Sequence, residues 1–554
     1  MGNRCDLLTK VHWFWYHHSM KTKKASLAAV AAWAACVGIA FAESGSFKFD
    51  RSVMSEKYWK IWNDDVQRKI DADIEKYRKA DASFEVAAPA GTEVKVEQIS
   101  SAFYFGAHIF NFNQLGKKEW NDKYKALYGT LFNSATVAFY WRTLEQYPYA
   151  PRFEERYEDT ENFWNACPQP KDQAHWRRPA PDPVVEFCKS RGVRIHGHPL
   201  VWGNNEWQTP TWLWENFCPD EEKWALEKLT GVHVPTRDVT LPMGVKDFKT
   251  QQWGKKQAWN DAWKRIYAQL SEEEIAKVVP SFLKAQEFFY EKRIKDIAAR
   301  YGSRVDSWDV VNESATDFEG FGCQAVRGKA CDKSHYGLMP ADYAYKAFMW
   351  TQKYMPAKAW LNINEYNMNA FFKQANDLSA HGAKIDVVGS QMHLFNPAES
   401  VNIARGEGPA HLRPEGVAER FRVLSQANRP IHLSEITITA PDNSSRGQMV
   451  QAIIMRNLYR AWFSVEKMCG ITWWNVVDDC GAPGEPSISG IFTRDMRPKT
   501  AYFAMDDLVN REWRTNLSVK STDGKVVFRG FRGHYRLSWK GADGETVVKL
   551  VDVK

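Results

Sequence analysis

Two hydrophobic rhythms alternate along this chain. Short apolar runs recur at AFYFGAHIF (102–110), ATVAFYW (135–141), VRIHGHPLVW (193–202), VDSWDVVNE (305–313), AWLNINEYN (359–367), IDVVGSQMHL (385–394), PIHLSEITI (430–438) and GITWWNVVDD (470–479). Most are near-continuous rather than alternating, as expected of parallel strands covered on both faces. Between them lie stretches with helical periodicity. PDPVVEFCKSRG has Pro near its start and Gly at its end, the usual order for a helix. SEEEIAKVVPSFLKAQEFFYEKRIKDIAARYG opens on a capping-box pair, Ser271 and Glu274, and carries Pro280, which should start, kink or divide it. GVAERFRVLSQAN and SSRGQMVQAIIMRNLYRAWFSVEKM are two further helices. Strands alternating with helices in this way predict an α/β fold, a (β/α)8 TIM barrel.

Two regions fall outside that plan. Residues 81–99 alternate about a Pro-Ala-Gly turn, and residues 516–554 alternate about Asp-Gly turns at Asp523 and Asp543. Both read as β-strands, and we expect them to form one small β-sandwich accessory region from the N- and C-terminal segments; two separate appendages are the alternative. The resulting division is a signal segment at 1–42, an accessory helix and strand segment at 43–100, a barrel at 101–512 and a β-rich segment at 513–554. A long insertion at about 204–270 holds Trp207, Trp212, Trp214, Trp224, Trp253, Trp259 and Trp263. It is expected either to shape a cleft at the barrel mouth or to pack on the barrel's side.

Charge and composition narrow the picture. The net charge is +7, but residues 1–42 account for a surplus of four, and the remaining +3 is too weak and scattered for a nucleic-acid binder. Met20 opens a basic stretch, MKTKK, followed by an alanine-rich run ending Ala40-Phe41-Ala42, the form of a cleavable export signal. On this reading the protein is secreted or periplasmic, with no stable membrane insertion after cleavage; an uncleaved anchor is the alternative, although the run is short for a span. The cysteines beyond it, Cys167, Cys188, Cys218, Cys323, Cys331, Cys469 and Cys480, are odd in number, so at least one is free or pairs outside the chain. Cys323–Cys331 and Cys469–Cys480 are the closest pairs in sequence, and Cys188 reads as a buried helix residue. No spacing suggests a zinc site. The 25 Trp, 31 Phe and 21 Tyr suit either large cores or the stacking of sugar rings.

The candidate chemistry lies at strand ends. WDVVNESAT ends an apolar strand on Asn312 and Glu313, and IHLSEITIT places Glu435 at a similar point. Barrels of this type carry their chemistry at the C-terminal ends of strands. Two carboxylates across one opening suit glycosidic bond cleavage: one protonates the leaving oxygen, and the other attacks the anomeric carbon or activates water. His198, Asn312, Gln391, His393 and Trp474 converge at strand ends as well.

In FGAHIF, HGHPLVWG, SWDVVNES, LNINEYN, VVGSQMHL, HLSEITI and GITWWNV, in that order, the chain resembles glycoside hydrolase family 10, the retaining endo-β-1,4-xylanases, over about residues 80–510. The resemblance implies Glu313 as acid/base and Glu435 as nucleophile. It implies Asn312 on the sugar 2-hydroxyl and His393 orienting Glu435. Gln391, His198 and Trp202 would line the subsite at the cleaved bond, with Trp474 a stacking platform. It also implies a polysaccharide or oligosaccharide substrate and no cofactor or metal. Chemistry asks that Glu313 stay protonated and Glu435 ionised, with their carboxyl groups about 5–5.5 Å apart for retention. The chain departs from the family at the second strand, where Ala138 and Phe139 stand in place of a Glu-Asn pair; Tyr140, Trp141, Arg142 and Glu145 are the candidates for gripping sugar instead. Gly203 replaces a usual His, and Asp478, Asp479 or Pro483 would occupy the rim where a second tryptophan is usual. These changes leave the reaction type firmer than the substrate: plain xylan, decorated xylan or another β-linked glycan. A catalytically weak carbohydrate-binding protein on the same scaffold is the other reading.

Overall fold

The computed structural model describes residues 47–156, 159–173, 175–204, 208–235, 248–320, 331–334 and 337–554. The proposed signal segment and Cys323 lie outside them, as do the side chains of Trp207, Trp253 and Cys331.

A helix, α1 (Asp64–Arg78), leads into two strands, β1 (Lys79–Glu85) and β2 (Glu93–Ser101). The barrel strands follow: β3 (Tyr104–His108), β4 (Ser134–Ala138), β5 (Arg194–His198), β6 (Ser307–Asn312), β7 (Trp360–Glu365), β8 (Val387–Leu394), β9 (Ile431–Ile438) and β10 (Met468–Trp473). Each pairs in parallel with the next, β10 pairs with β3, and the ring closes as an eight-stranded barrel. These strands are buried almost throughout, which is why they read as apolar runs. Gly197 on β5 allows a close approach, since a Cβ there would lie 2.2 Å from the Trp308 ring.

The helices answer to their sequence signals. The expected helix at 181 runs Pro181–Ser190 (α2). Pro280 divides the long stretch: α3 (Glu272–Val278) starts on the Ser271–Glu274 capping box, and α4 (Pro280–Tyr301) has the proline in its first turn, where a missing N–H costs nothing. α5 (Pro414–Leu424) and α6 (Ser445–Phe463) cover the later strands.

Both chain ends meet beside the barrel. β1 pairs with β12 (Lys525–Phe531), while β11 (Asn516–Lys520), β2, β13 (Gly533–Lys540) and β14 (Thr546–Val553) form a second sheet in the order β11-β2-β13-β14. Val94, Val96, Val526, Phe528, Leu537 and Trp539 are among the side chains of their shared core, separate from that of the barrel. The accessory region is therefore one sandwich built from both termini.

Two open questions from the sequence are answered among the described residues. Cys469 and Cys480 are both free thiols, because Cys469 is fixed within β10 while Cys480 sits in the loop beyond it. Four of the insertion's tryptophans are packing residues: Trp214 meets Trp259, Trp263 and Phe282, and Trp212 meets Phe289 of α4 and Trp141 beyond β4. Trp259 is buried with them, whereas Trp224 is 64% exposed. Among the described residues no helix is long and apolar enough to cross a membrane.

Candidate active site

Glu313 follows the last residue of β6 and adopts a left-handed backbone, φ 57°. A non-glycine residue there is uncommon and is held by its surroundings. Its N–H donates to the Asn364 carbonyl of β7 at 2.8 Å. The turn beyond is pinned by Glu365, whose carboxylate accepts the N–H groups of Ala315 (2.6 Å), Tyr366 (2.8 Å) and Asn367 (2.9 Å). Burial pushes Glu365 up to about 8, against those three donors and with the charge of Glu313 adding to the rise. The Glu313 carboxyl accepts from Trp202 Nε1 at 3.1 Å and from Gln391 Nε2 at 2.8 Å.

Glu435 lies on β9, 5% exposed, beside Gln391 in the parallel register of β8 and β9. Its Oε1 accepts from Asn364 Nδ2 at 2.7 Å, and the same amide donates to Asn312 Oδ1 at 2.8 Å. His393 Nε2 stands 3.4 Å from the other Glu435 oxygen, and its Nδ1 lies 2.9 Å from Thr437 Oγ1. Asn364 is oriented in turn by Ser434, whose hydroxyl donates to its carbonyl oxygen. It also needs Gly389 on β8, where a Cβ would come within 2.6 Å of Asn364 Oδ1. One amide thus joins the nucleophile candidate to the asparagine beside the acid candidate, and Gln391 continues the chain to Glu313.

A second line of support rises from the barrel interior. Asp309 Oδ2 accepts from both His196 Nε2 and His198 Nδ1, each at 2.8 Å. This fixes the His198 ring with Nε2 toward Glu435, 3.9 Å away. Burial disfavours charge on His198, but Asp309, Glu435 and Glu313 together raise its pKa above the ordinary value. Burial also opposes ionisation of Asp309, yet the two imidazoles hold its carboxyl well below the usual range. The neighbouring His432 is pushed down to about 3 by burial, with His196 and Arg194 adding to the fall.

An aromatic cluster lines the other side of the mouth: Phe110, Ala138, Tyr140 and Trp474, with Trp202 packed against them. The Trp474 ring meets His198 and His393 edge-on, and its Nε1 donates to Glu485 Oε1 at 3.3 Å. Burial works against the charge of Glu485, but Arg177 and donors from Asn475 and the Ala482 N–H hold it down to about 2.

The structure therefore brings together Glu313, Glu435, Asn312, Gln391, His393, His198 and Trp202, with Trp474 bordering them. It does not bring Trp141. That ring is 1% exposed, packs on Trp212 and Tyr290, and donates to Glu145 Oε2 at 2.9 Å, because the insertion closes over it. Glu145 is buried with it, and Arg142 stands half-buried on the same turn. Asp478 is no rim residue either: it is buried on Lys499 Nζ at 2.9 Å. Sequence reasoning passed over Asn364, Asp309, Glu365, Glu485 and the Arg177–Arg178 pair. Polar residues inside otherwise apolar strands were the available signal for Asn364 and Asp309.

The model of the family described as glycosyl hydrolase family 10 matches residues 149–236 and 265–508, more than half the chain. An endo-1,4-beta-xylanase B from Thermotoga neapolitana is 23% identical over 341 residues, covering 59% of this chain and 73% of that protein. An endo-1,4-beta-xylanase C from Paenibacillus barcinonensis is 27% identical over 390 residues, covering 65% of this chain but 28% of that protein. A solved family 10 structure from Paenibacillus barcinonensis is 19% identical and covers 74% of this chain and 96% of that one, with a TM-score of 0.45.

Proposed function

The chain belongs to glycosyl hydrolase family 10, and from that membership and the geometry of the barrel mouth we propose a retaining glycoside hydrolase that cleaves β-1,4 linkages in xylan or a decorated xylan. The observation that carries this reading is the single amide of Asn364 donating to both Glu435 and Asn312, with Gln391 extending the network to Glu313. Glu435 attacks the anomeric carbon while Glu313 protonates the leaving oxygen, giving a covalent glycosyl-enzyme. Glu313 then takes a proton from the water that releases the sugar. Asn312 binds the sugar 2-hydroxyl, Trp474 offers the stacking face, and Trp202 and Gln391 hold the acid in place. Residues 101–512 form the catalytic unit, and the sandwich of the two chain ends is accessory. Independently, from the basic MKTKK start and the Ala40-Phe41-Ala42 ending, we propose an export signal cleaved after Ala42.

The two acids are separable by experiment. Glu435→Ala should abolish hydrolysis of every glycoside. Glu313→Ala should still form the covalent intermediate from an activated aryl glycoside and then stall, while losing unactivated substrates. Unchanged activity of Glu435→Ala, or equal losses on both substrate types for Glu313→Ala, would refute the roles.

A further inference from the structure

Arg178 carries a charge that the mechanism above does not use. It lies in the long segment between β4 and α2, yet its backbone is pinned at the mouth: its N–H donates to the His175 carbonyl at 2.8 Å, and its carbonyl accepts from Arg152 Nη2 at 2.7 Å. The guanidinium lies 3.6 Å over the Tyr140 ring and 5.5 Å from Phe110. Tyr140 in turn packs edge-on against His198 and Trp202, so the arginine sits one ring away from groups that hold Glu435 and Glu313.

Its charge is not matched locally. Arg178 Nη1 donates to the Arg177 carbonyl at 2.8 Å, which is a neutral acceptor. Glu485, whose charge acts on Arg178, is taken by Arg177 at 3.7 Å and by the donors from Asn475, Ala482 and Trp474. Asp159 is occupied by Arg152 and His175, and Asp479 by Lys171. Two adjacent guanidinium groups therefore share one buried carboxylate. Arg178 is half-buried as a residue, and burial lowers the pKa of its guanidinium to about 10, so its charge is held against a desolvation cost. At the end of β4 stand Ala138, 4% exposed, and Phe139, 0% exposed, neither with a side chain that can hydrogen-bond. A neutral sugar would find few hydroxyl partners there, whereas a carboxylate would meet a preset guanidinium plane, the group best suited to bind it.

We propose that Arg178 is a specificity-determining residue that recognises a carboxylate on the glycan, so that the preferred substrate carries uronic-acid substituents. This rests on the hydrolase reading for the identity of the chain bound, but not for the preference itself.

The test uses the full chain carrying Glu313→Gln, so that ligands survive, and measures binding by calorimetry. The probes are two xylo-oligosaccharides of equal length, one neutral and one with a single glucuronosyl branch. The branched one should bind about tenfold more tightly or better at low salt, the scale of a charge-assisted bond. Adding Arg178→Ala should remove that preference, Arg178→Lys should keep part of it, and 0.5 M salt, a concentration on the order of full screening, should shrink it. Equal binding of both probes, no binding of either, or equal losses for both with Arg178→Ala would overturn the proposal. Free glucuronate competing as well as the branched probe would overturn it too, leaving a simple anion site. Hydrolysis of aryl xylosides by the wild type is scored separately. A charge preference without hydrolysis would strike the enzyme reading alone, and hydrolysis without the preference would strike Arg178 alone.

Discussion

Replacing Asp309 with Asn tests whether a buried carboxylate holds His198 in place. Asp309 is 1% exposed, and one of its oxygens accepts from two imidazoles, His196 and His198. Asparagine keeps the shape but loses the charge, and its NH2 cannot accept. Removing one member of a buried ion pair costs about 3–5 kcal/mol. The cost should depend on pH, and the sign follows from the two shifts. Asp309 has a depressed folded pKa, so its contribution is present above the unfolded value near 4 and lost as pH falls through the folded one. His198 has a raised folded pKa, so its contribution is fully present below about 6.5 and lost as pH rises through the folded value. The gap between wild type and Asp309→Asn should therefore be widest between about pH 4 and 6.5. It should narrow toward alkaline pH without vanishing, because neutral imidazoles still donate to the carboxylate. Urea unfolding followed by tryptophan fluorescence at acid, neutral and alkaline pH measures it. A loss under about 1 kcal/mol at pH near 6, or a gap that widens as pH rises, would refute the reasoning.

Three further substitutions probe other parts of the molecule. On the proposed roles, Asn364→Ala should lower kcat by about 10–100-fold with little change in KM, since Asn364 donates to Glu435 and Asn312; steady-state kinetics on a defined oligosaccharide would expose a loss under threefold, an order-of-magnitude floor on the same principle. Lys499→Ala leaves Asp478 buried without its cation, and denaturation should show a loss of about 3–5 kcal/mol. Gly197→Ala drives a Cβ into the Trp308 ring and should destabilise by about 1–3 kcal/mol, read as a lowered denaturation midpoint.

What the sequence reveals depends on whether a signal is local. All eight barrel strands are legible because a parallel strand covered on both faces must be apolar along its length, and each of 102–110, 305–313 and 430–438 is. Pro280 and the Ser271–Glu274 pair are equally local, and the helix boundary falls where they set it. Trp141 misleads because a tryptophan at a strand end looks like a sugar platform, and only the fold of the insertion shows Trp212 lying against it. Cys469 and Cys480 are close in sequence but sit in different local structures, so proximity is a poor guide to pairing. Arg178 belongs to no periodic pattern; its position over Tyr140 depends on how a long loop returns to the mouth.

The distribution of polar groups sets which parts of the barrel mouth tolerate exchange and which do not. Asp309, Asn312, Asn364, Gln391 and Glu435 are each 5% exposed or less, and each is tied to residues on neighbouring strands. In such a buried network, a single polar substitution strands its partners and costs the desolvation of each. The rim is built differently. Tyr140, Phe110 and Trp474 contact one another through ring faces and edges, and the neighbouring loops carry Arg178, Glu485 and Asp479. Exchanging one large apolar group for another in such a cluster costs less than breaking a charged network. Exchanges of apolar side chains on the β3–β4 side of the mouth should therefore cost less stability than polar exchanges in the network from Asp309 through Asn364 to Gln391.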